Sequence, residues 1–272
     1  MEEIQILSHG TRIGGLMYLP RGSGPHPIVI FLHGYPGNER NLDLAQAVRR
    51  AGYAALYFGY RGDARSGGTF SFAHSREDVA SVLAWVRTPE TVAKYHIDAA
   101  RIAVFGYRYG GALALSSVSH EPAEVCVAAP AAWNAGWVAK RFAAHPEEKV
   151  NLLAYLRSTT TASGGPIHAN ADELIKELAD RPSQWDYLTQ ASALSRHAVL
   201  LVVGTNDTPD DGVDRETELA GAIATAGGRD VQLVTFEDDE SFSSHRLALA
   251  HRLVRWLRTD CAKTQTGRAN PQ

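Results

Sequence analysis

The sequence predicts an α/β fold: a mostly parallel, twisted sheet with helices on both faces and an inserted helical cap. Three observations carry this. Short runs such as Ile28–Leu32, Ala54–Phe58, Ile102–Phe105 and Val199–Val203 are apolar at every position, as strands buried on both faces require. Stretches with helical periodicity separate them, and strands alternating with helices call for parallel β-α-β units. The rhythm then breaks over residues 130–195, between two core strands, which is where a cap over the strand ends belongs.

The elements follow in order. Ile4–Leu7 and Leu16–Leu19 flank Gly14-Gly15 and read as an antiparallel hairpin. Leu42–Ala51 reads as a helix ended by Gly52, and Ser75–Arg87 as a helix with Ser75 and Asp78 in capping-box-like spacing. A helix at 112–119, strands at Val125–Ala129 and Val231–Thr235, and a helix from Ser244 to Arg258 complete the pattern. Within 130–195 the helical patterns lie at 135–157 and 171–180, separated by a Thr-, Ser- and Gly-rich stretch at 158–165. The expected organisation is one domain over residues 1–258, with the cap inside it, and a polar tail over 259–272.

Composition narrows the function classes. The 272 residues are 44% hydrophobic and 21% charged, ordinary for a soluble globular chain with a sizeable core. A formal net charge of −3 gives no reason to expect nucleic acid or an anionic membrane as partner. Cys126 lies in an apolar run and Cys261 in the polar tail, so two free thiols in a reducing compartment are expected. With no leader-like N-terminal pattern and no apolar span, a cytoplasmic location is expected. The eleven histidines form no H-x-x-x-H zinc motif and the glycines no phosphate loop, so neither metal nor cofactor is expected. The expected partner is a small molecule, and the oligomeric state stays open, a homodimer included.

The chemistry concentrates at Phe105-Gly106-Tyr107-Arg108-Tyr109-Gly110-Gly111. An apolar strand, close-approach glycines and an Ala/Leu helix surround a G-x-S-x-G-type elbow, but arginine stands where the serine belongs. Arginine has no nucleophilic oxygen, stays cationic, and carries five N–H donors. Two further stretches complete the pattern: His33-Gly34-Tyr35-Pro36-Gly37-Asn38 after a central strand, and Tyr60-Arg61-Gly62 running on to Ser66-Gly67-Gly68.

Together these stretches resemble the α/β-hydrolase superfamily, in its dienelactone-hydrolase and prolyl-oligopeptidase-like branch, over roughly residues 4–258. The resemblance implies an α/β-hydrolase fold and an oxyanion hole formed by the backbone N–H groups of Tyr35 and Tyr109. It places the triad's acid at Asp207, in Gly204-Thr205-Asn206-Asp207. Aligning the last loop on Phe242 places Glu240 at the histidine position; the alternative register makes His245 the base. Serine exchanged for arginine and histidine for glutamate would then be coupled, and an Arg108–Glu240 ion pair with Asp207 beside it is expected. Tyr107, Trp133 and Trp137 are expected to line a substrate pocket, and His33 to hold its loop.

Three function classes follow. A repurposed, non-hydrolytic enzyme would use Arg108 and the oxyanion pocket on a carbonyl- or carboxylate-bearing substrate. A pseudohydrolase would bind a small molecule or partner protein without chemistry. An atypical esterase or peptidase would need another nucleophile, and Ser116 and Ser117 lie too far down the helix to supply one.

Overall fold

The computed structural model describes residues 1–63, 65–207 and 213–266. Eight strands form one sheet: β1 (Glu2–Ser8), β2 (Thr11–Tyr18), β3 (His26–Leu32), β4 (Ala54–Phe58), β5 (Ile97–Gly106), β6 (Cys126–Pro130), β7 (Val199–Gly204) and β8 (Val231–Phe236). Their order is β1-β2-β4-β3-β5-β6-β7-β8. β2 runs antiparallel to both its neighbours, and every later pairing is parallel. The helices are α1 (Leu42–Arg50), α2 (Phe72–Val86), α3 (Pro89–Tyr95), α4 (Tyr109–Val118), α5 (Ala135–Arg141), α6 (Pro146–Thr159), α7 (Ala171–Asp180), α8 (Ala191–Leu194), α9 (Val213–Thr225), α10 (Arg246–Trp256) and α11 (Ala262–Thr266). β4, β6 and β7 are buried at every position, because helices cover the sheet on both sides.

Local sequence misleads at two places. The first hairpin turns at His9-Gly10, both at positive φ, while Gly14 and Gly15 lie inside β2. Those two glycines answer to distant neighbours: a Cβ on Gly14 would sit 2.7 Å from the Arg65 carbonyl oxygen, and one on Gly15 2.5 Å from that of Tyr57. Helix α2 begins three residues before Ser75, with Ser71 as its cap accepting from the His74 N–H. Ser75 and Asp78 are instead buried. The Asp78 carboxylate takes the Arg61 Nε–H at 2.7 Å, the Arg61 backbone N–H at 2.8 Å and the Ser8 hydroxyl at 2.6 Å. It thereby ties β1 and the Tyr60-Arg61-Gly62 turn to α2. Asp78→Ala would strand a guanidinium whose side chain is only 7% exposed. The expected loss is about 3 kcal/mol of unfolding free energy in a urea titration, with the exposed Glu77 carboxylate limiting the damage.

Residues 131–198 leave the sheet between β6 and β7 and carry α5 to α8. Within the stretch at 158–165, α6 ends at Thr159, Thr160 bridges Ile167, and Thr161–Ser163 forms a 3₁₀ turn. This insertion is fastened to the core through polar backbone contacts. The Glu177 carboxylate of α7 accepts from the Phe72 and Ala73 N–H groups at the start of α2, at 3.0 and 2.7 Å. Its burial raises the carboxyl pKa above the ordinary range, against the lowering effect of those two N–H groups.

The C-terminal segment differs from the expected tail. A π-helical turn, Leu257–Cys261, prolongs α10 and runs on into α11 as far as Thr266. The rest of the expected tail lies outside the described residues. Cys261 is buried and disulfide-bonded to Cys126 at the start of β6, across a sequence separation of 135 and a Cα–Cα distance of 5.7 Å. The two thiols are therefore not free, and the part of the argument for a reducing compartment that rested on them falls away. No helix among the described residues is long and apolar enough to cross a membrane.

Candidate active site

The site is assembled at the carboxyl edge of the sheet, where several strands deliver loops side by side. The central turn links β5 to α4. Arg108 sits there with φ 52° and ψ −117°, a backbone conformation that costs a non-glycine residue roughly 1–3 kcal/mol. Neighbours over-determine it. Tyr107 N–H donates to Leu32 O at 3.1 Å, Arg108 N–H to Pro130 O at 3.2 Å, and Trp133 N–H to Arg108 O at 3.1 Å. Strand and helix approach so closely that a Cβ on Gly106 would lie 2.0 Å from Gly110 O. The turn thus presents the residue at 108 at the head of the helix, into a cavity of about 380 Å³.

The Arg108 guanidinium pairs with Asp207, in the loop after β7. Nη1 lies 3.3 Å from Oδ1 and 3.5 Å from Oδ2. The sequence suggested Glu240 as this partner, and the reason for the difference is burial. The Asp207 side chain is 3% exposed and that of Arg108 28%, so Asp207 is the carboxylate that most needs a counter-charge. Glu240 is half-buried and lines the cavity beside Arg108. His245 immediately precedes α10, with Nδ1 2.9 Å from Asp238 Oδ2 and its ring stacked on Phe236. It does not line the cavity.

Tyr35 and Tyr109 line the same cavity as Arg108. Among the described residues neither backbone N–H is engaged by an acceptor, and Tyr109 is the first residue of α4, where helix N–H groups have no intrahelical partner. Their side chains do structural work. The Tyr35 hydroxyl meets Thr159 Oγ1 of α6 at 2.6 Å, and burial pushes its pKa up to about 12. The Tyr109 hydroxyl pairs with the Ser75 hydroxyl inside a cluster of Phe70, Phe72 and Tyr60 rings, and burial raises it further still. His33 holds its loop as expected for its position: Nδ1 is 2.8 Å from Gly34 O and Nε2 is 3.4 Å from Asp63 Oδ2.

Tyr107 and Trp133 line the cavity, and the Tyr107 hydroxyl lies 3.2 Å from Ser241 Oγ. Trp137 does not. It stands between the guanidiniums of Arg141 and Arg215, 4.3 and 5.0 Å from its ring, because a helix surface exposed to two cations offers the indole face a partner outside the cavity. Sequence reasoning missed the lining residues of α6, Leu152, Tyr155 and Leu156, whose i, i+3, i+4 spacing marks one helix face. It also missed Glu39 at the rim.

Glu216 of α9 was missed too, and nothing in its Asp-Arg-Glu-Thr-Glu surroundings announces it. It is fully buried; Oε1 accepts from the Ala132 N–H at 2.8 Å, and Oε2 has no hydrogen-bond partner among the described residues. Burial drives its pKa well above the ordinary 4.5; the Ala132 N–H opposes this, the Asp207 charge adds to it, and Arg108 opposes it. The folded chain therefore binds this proton more tightly than the unfolded chain. The stability so gained is complete below about 4.5 and is lost as pH rises through the folded pKa. Glu216→Gln, which keeps the acceptor for Ala132, is expected to be increasingly more stable than the wild type as pH climbs from acid to alkaline. Urea titrations at a series of pH values would show it, and parallel curves for the two proteins would refute it.

The strand order, the strained turn after β5 and the insertion after β6 define an α/β-hydrolase fold. Within it, the chain belongs to the X-Pro dipeptidyl-peptidase (S15) family, whose profile matches residues 9–198. Est1E from Butyrivibrio proteoclasticus superposes with a TM-score of 0.67 at 13% identity, covering 97% of this chain and 100% of that one. A Pyrococcus furiosus esterase gives 0.67 at 18% identity, covering 94% and 89%. At these identities the likeness is one of fold. An uncharacterized 31.7 kDa protein from the traX-finO intergenic region of Escherichia coli is 31% identical over 144 residues, 51% of this chain and 48% of that protein. The match thus spans about half the length of this curated relative.

Proposed function

We propose that this hydrolase-like protein is a repurposed, non-hydrolytic enzyme acting on a small carbonyl- or carboxylate-bearing substrate. The carrying observation is a guanidinium, rather than a hydroxyl, held at the strained turn and facing a cavity of about 380 Å³. In this reading Arg108 stands at the ancestral nucleophile's position and Asp207 at that of the triad acid. The Tyr35 and Tyr109 N–H groups and the Arg108 cation would stabilise negative charge on a carbonyl oxygen. Glu240, lining the same cavity and not consumed by the Arg108–Asp207 pair, would take a proton from the carbon beside that carbonyl and return it elsewhere, an isomerisation. The Tyr60-Arg61-Gly62 to Gly68 segment supports placing the chain near the dienelactone-hydrolase and prolyl-oligopeptidase-like branch.

The Arg108–Asp207 pair also favours a second reading, a pseudohydrolase that binds its ligand without chemistry. An atypical hydrolase ranks behind both, since it needs a nucleophile other than the residue at the elbow. Calorimetric titration with short-chain carboxylates and ketones tests the proposal: binding is expected, and Arg108→Ala should abolish it. Product analysis on any bound ketone separates enzyme from binder. A fluorophosphonate probe should leave the protein unlabelled; covalent capture at any side chain would restore the hydrolase reading.

A further inference from the structure

Charge at the cavity does not match a simple anion. Arg108 is the one cationic side chain lining it among the described residues, and Asp207 beneath already draws on that charge. Glu39 and Glu240 line the same cavity, and among the described residues no ion pair joins either to a cation; Glu39 accepts a hydrogen bond from the Asn41 backbone N–H at 2.6 Å. Both carboxylates and Arg108 act electrostatically on a single group, the Tyr107 hydroxyl, so the opposed charges lie within reach of one small molecule. A plain carboxylate drawn to Arg108 would meet two like charges on the way, whereas a ligand carrying its own cation would offset them. The aromatic lining suits such a cation: the rings of Tyr35 and Tyr155 meet edge to face at 6.1 Å, and Trp133 lines the same cavity.

We propose that the ligand is zwitterionic, an amine-bearing carboxylate or ketone whose ammonium group lies at the rim between Glu39 and the aromatic rings. This rests on the reading of Arg108 given above, and it makes Glu39 a specificity residue outside the catalytic machinery. The test is calorimetry with a series of ω-aminocarboxylates of increasing chain length against the matching unsubstituted acids. Hydrogen bonds to charged groups make the aminated member of the best pair bind roughly tenfold tighter or more. Glu39→Gln should erase that preference while leaving the affinity for the plain acid unchanged or improved. Plain acids binding as tightly as their aminated partners would overturn the zwitterion and leave the Arg108 reading standing. If neither series binds, both fall. A preference that survives Glu39→Gln would overturn the assignment of the rim.

Discussion

Replacing Arg108 by serine and Glu240 by histidine in the same chain is expected to raise hydrolysis of an activated ester, such as p-nitrophenyl acetate, by roughly 10²-fold or more over the wild type. The expectation rests on what need not be rebuilt. The backbone at 108 already holds φ 52° and ψ −117°, which offers a serine hydroxyl to the cavity. Tyr35 and Tyr109 line the same cavity, and Asp207, freed from the guanidinium, would be available to orient an imidazole at 240. Each single exchange should give little, because a serine without a base and a histidine beside arginine are both incomplete. The steady-state rate of the double variant decides the matter. A folded double variant no faster than the wild type would refute Glu240 as the histidine position and return attention to His245.

Opening the Cys126–Cys261 bond is expected to cost about 5 kcal/mol by the loop-closure argument, given the 135-residue separation. Cys126→Ala with Cys261→Ala should lower the urea midpoint accordingly, although the measured loss is usually smaller than the entropic limit. A simpler check comes first. In guanidinium without reductant, a thiol reagent should titrate no free thiol, and after reduction two. Two thiols before reduction would restore the expectation drawn from sequence.

The sheet was legible because a parallel strand buried on both faces must be apolar throughout, and the runs at β3, β4 and β7 are. What escaped depends on partners far away in sequence. Gly14-Gly15 carries a turn's composition, yet its cause is the backbone of Arg65 and Tyr57 pressing on the two glycines. Ser75 and Asp78 have capping-box spacing, but their partners are Tyr109 and Arg61. At the site, the places of Arg108 and Asp207 after β5 and β7 could be read from local motifs. Which carboxylate pairs with the guanidinium could not, since Asp207 and Glu240 differ mainly in burial. Trp137 looked like a pocket residue for want of any sign that Arg141 and Arg215 would bracket it. Glu216 looked like one more surface glutamate on a charged helix.

The two ends of β6 have separate duties. Its last residue, Pro130, supports the turn at Arg108, and its first, Cys126, is bonded to the C-terminal segment. The covalent link lies at one margin of the sheet and the candidate site at the other. Substitutions that lengthen or shorten the molecule's lifetime through the sulfur link can therefore accumulate without retuning the cavity, and loop changes around Arg108 can be tried by selection without loosening the frame. In such a lineage, heat tolerance and ligand preference would drift as independent traits.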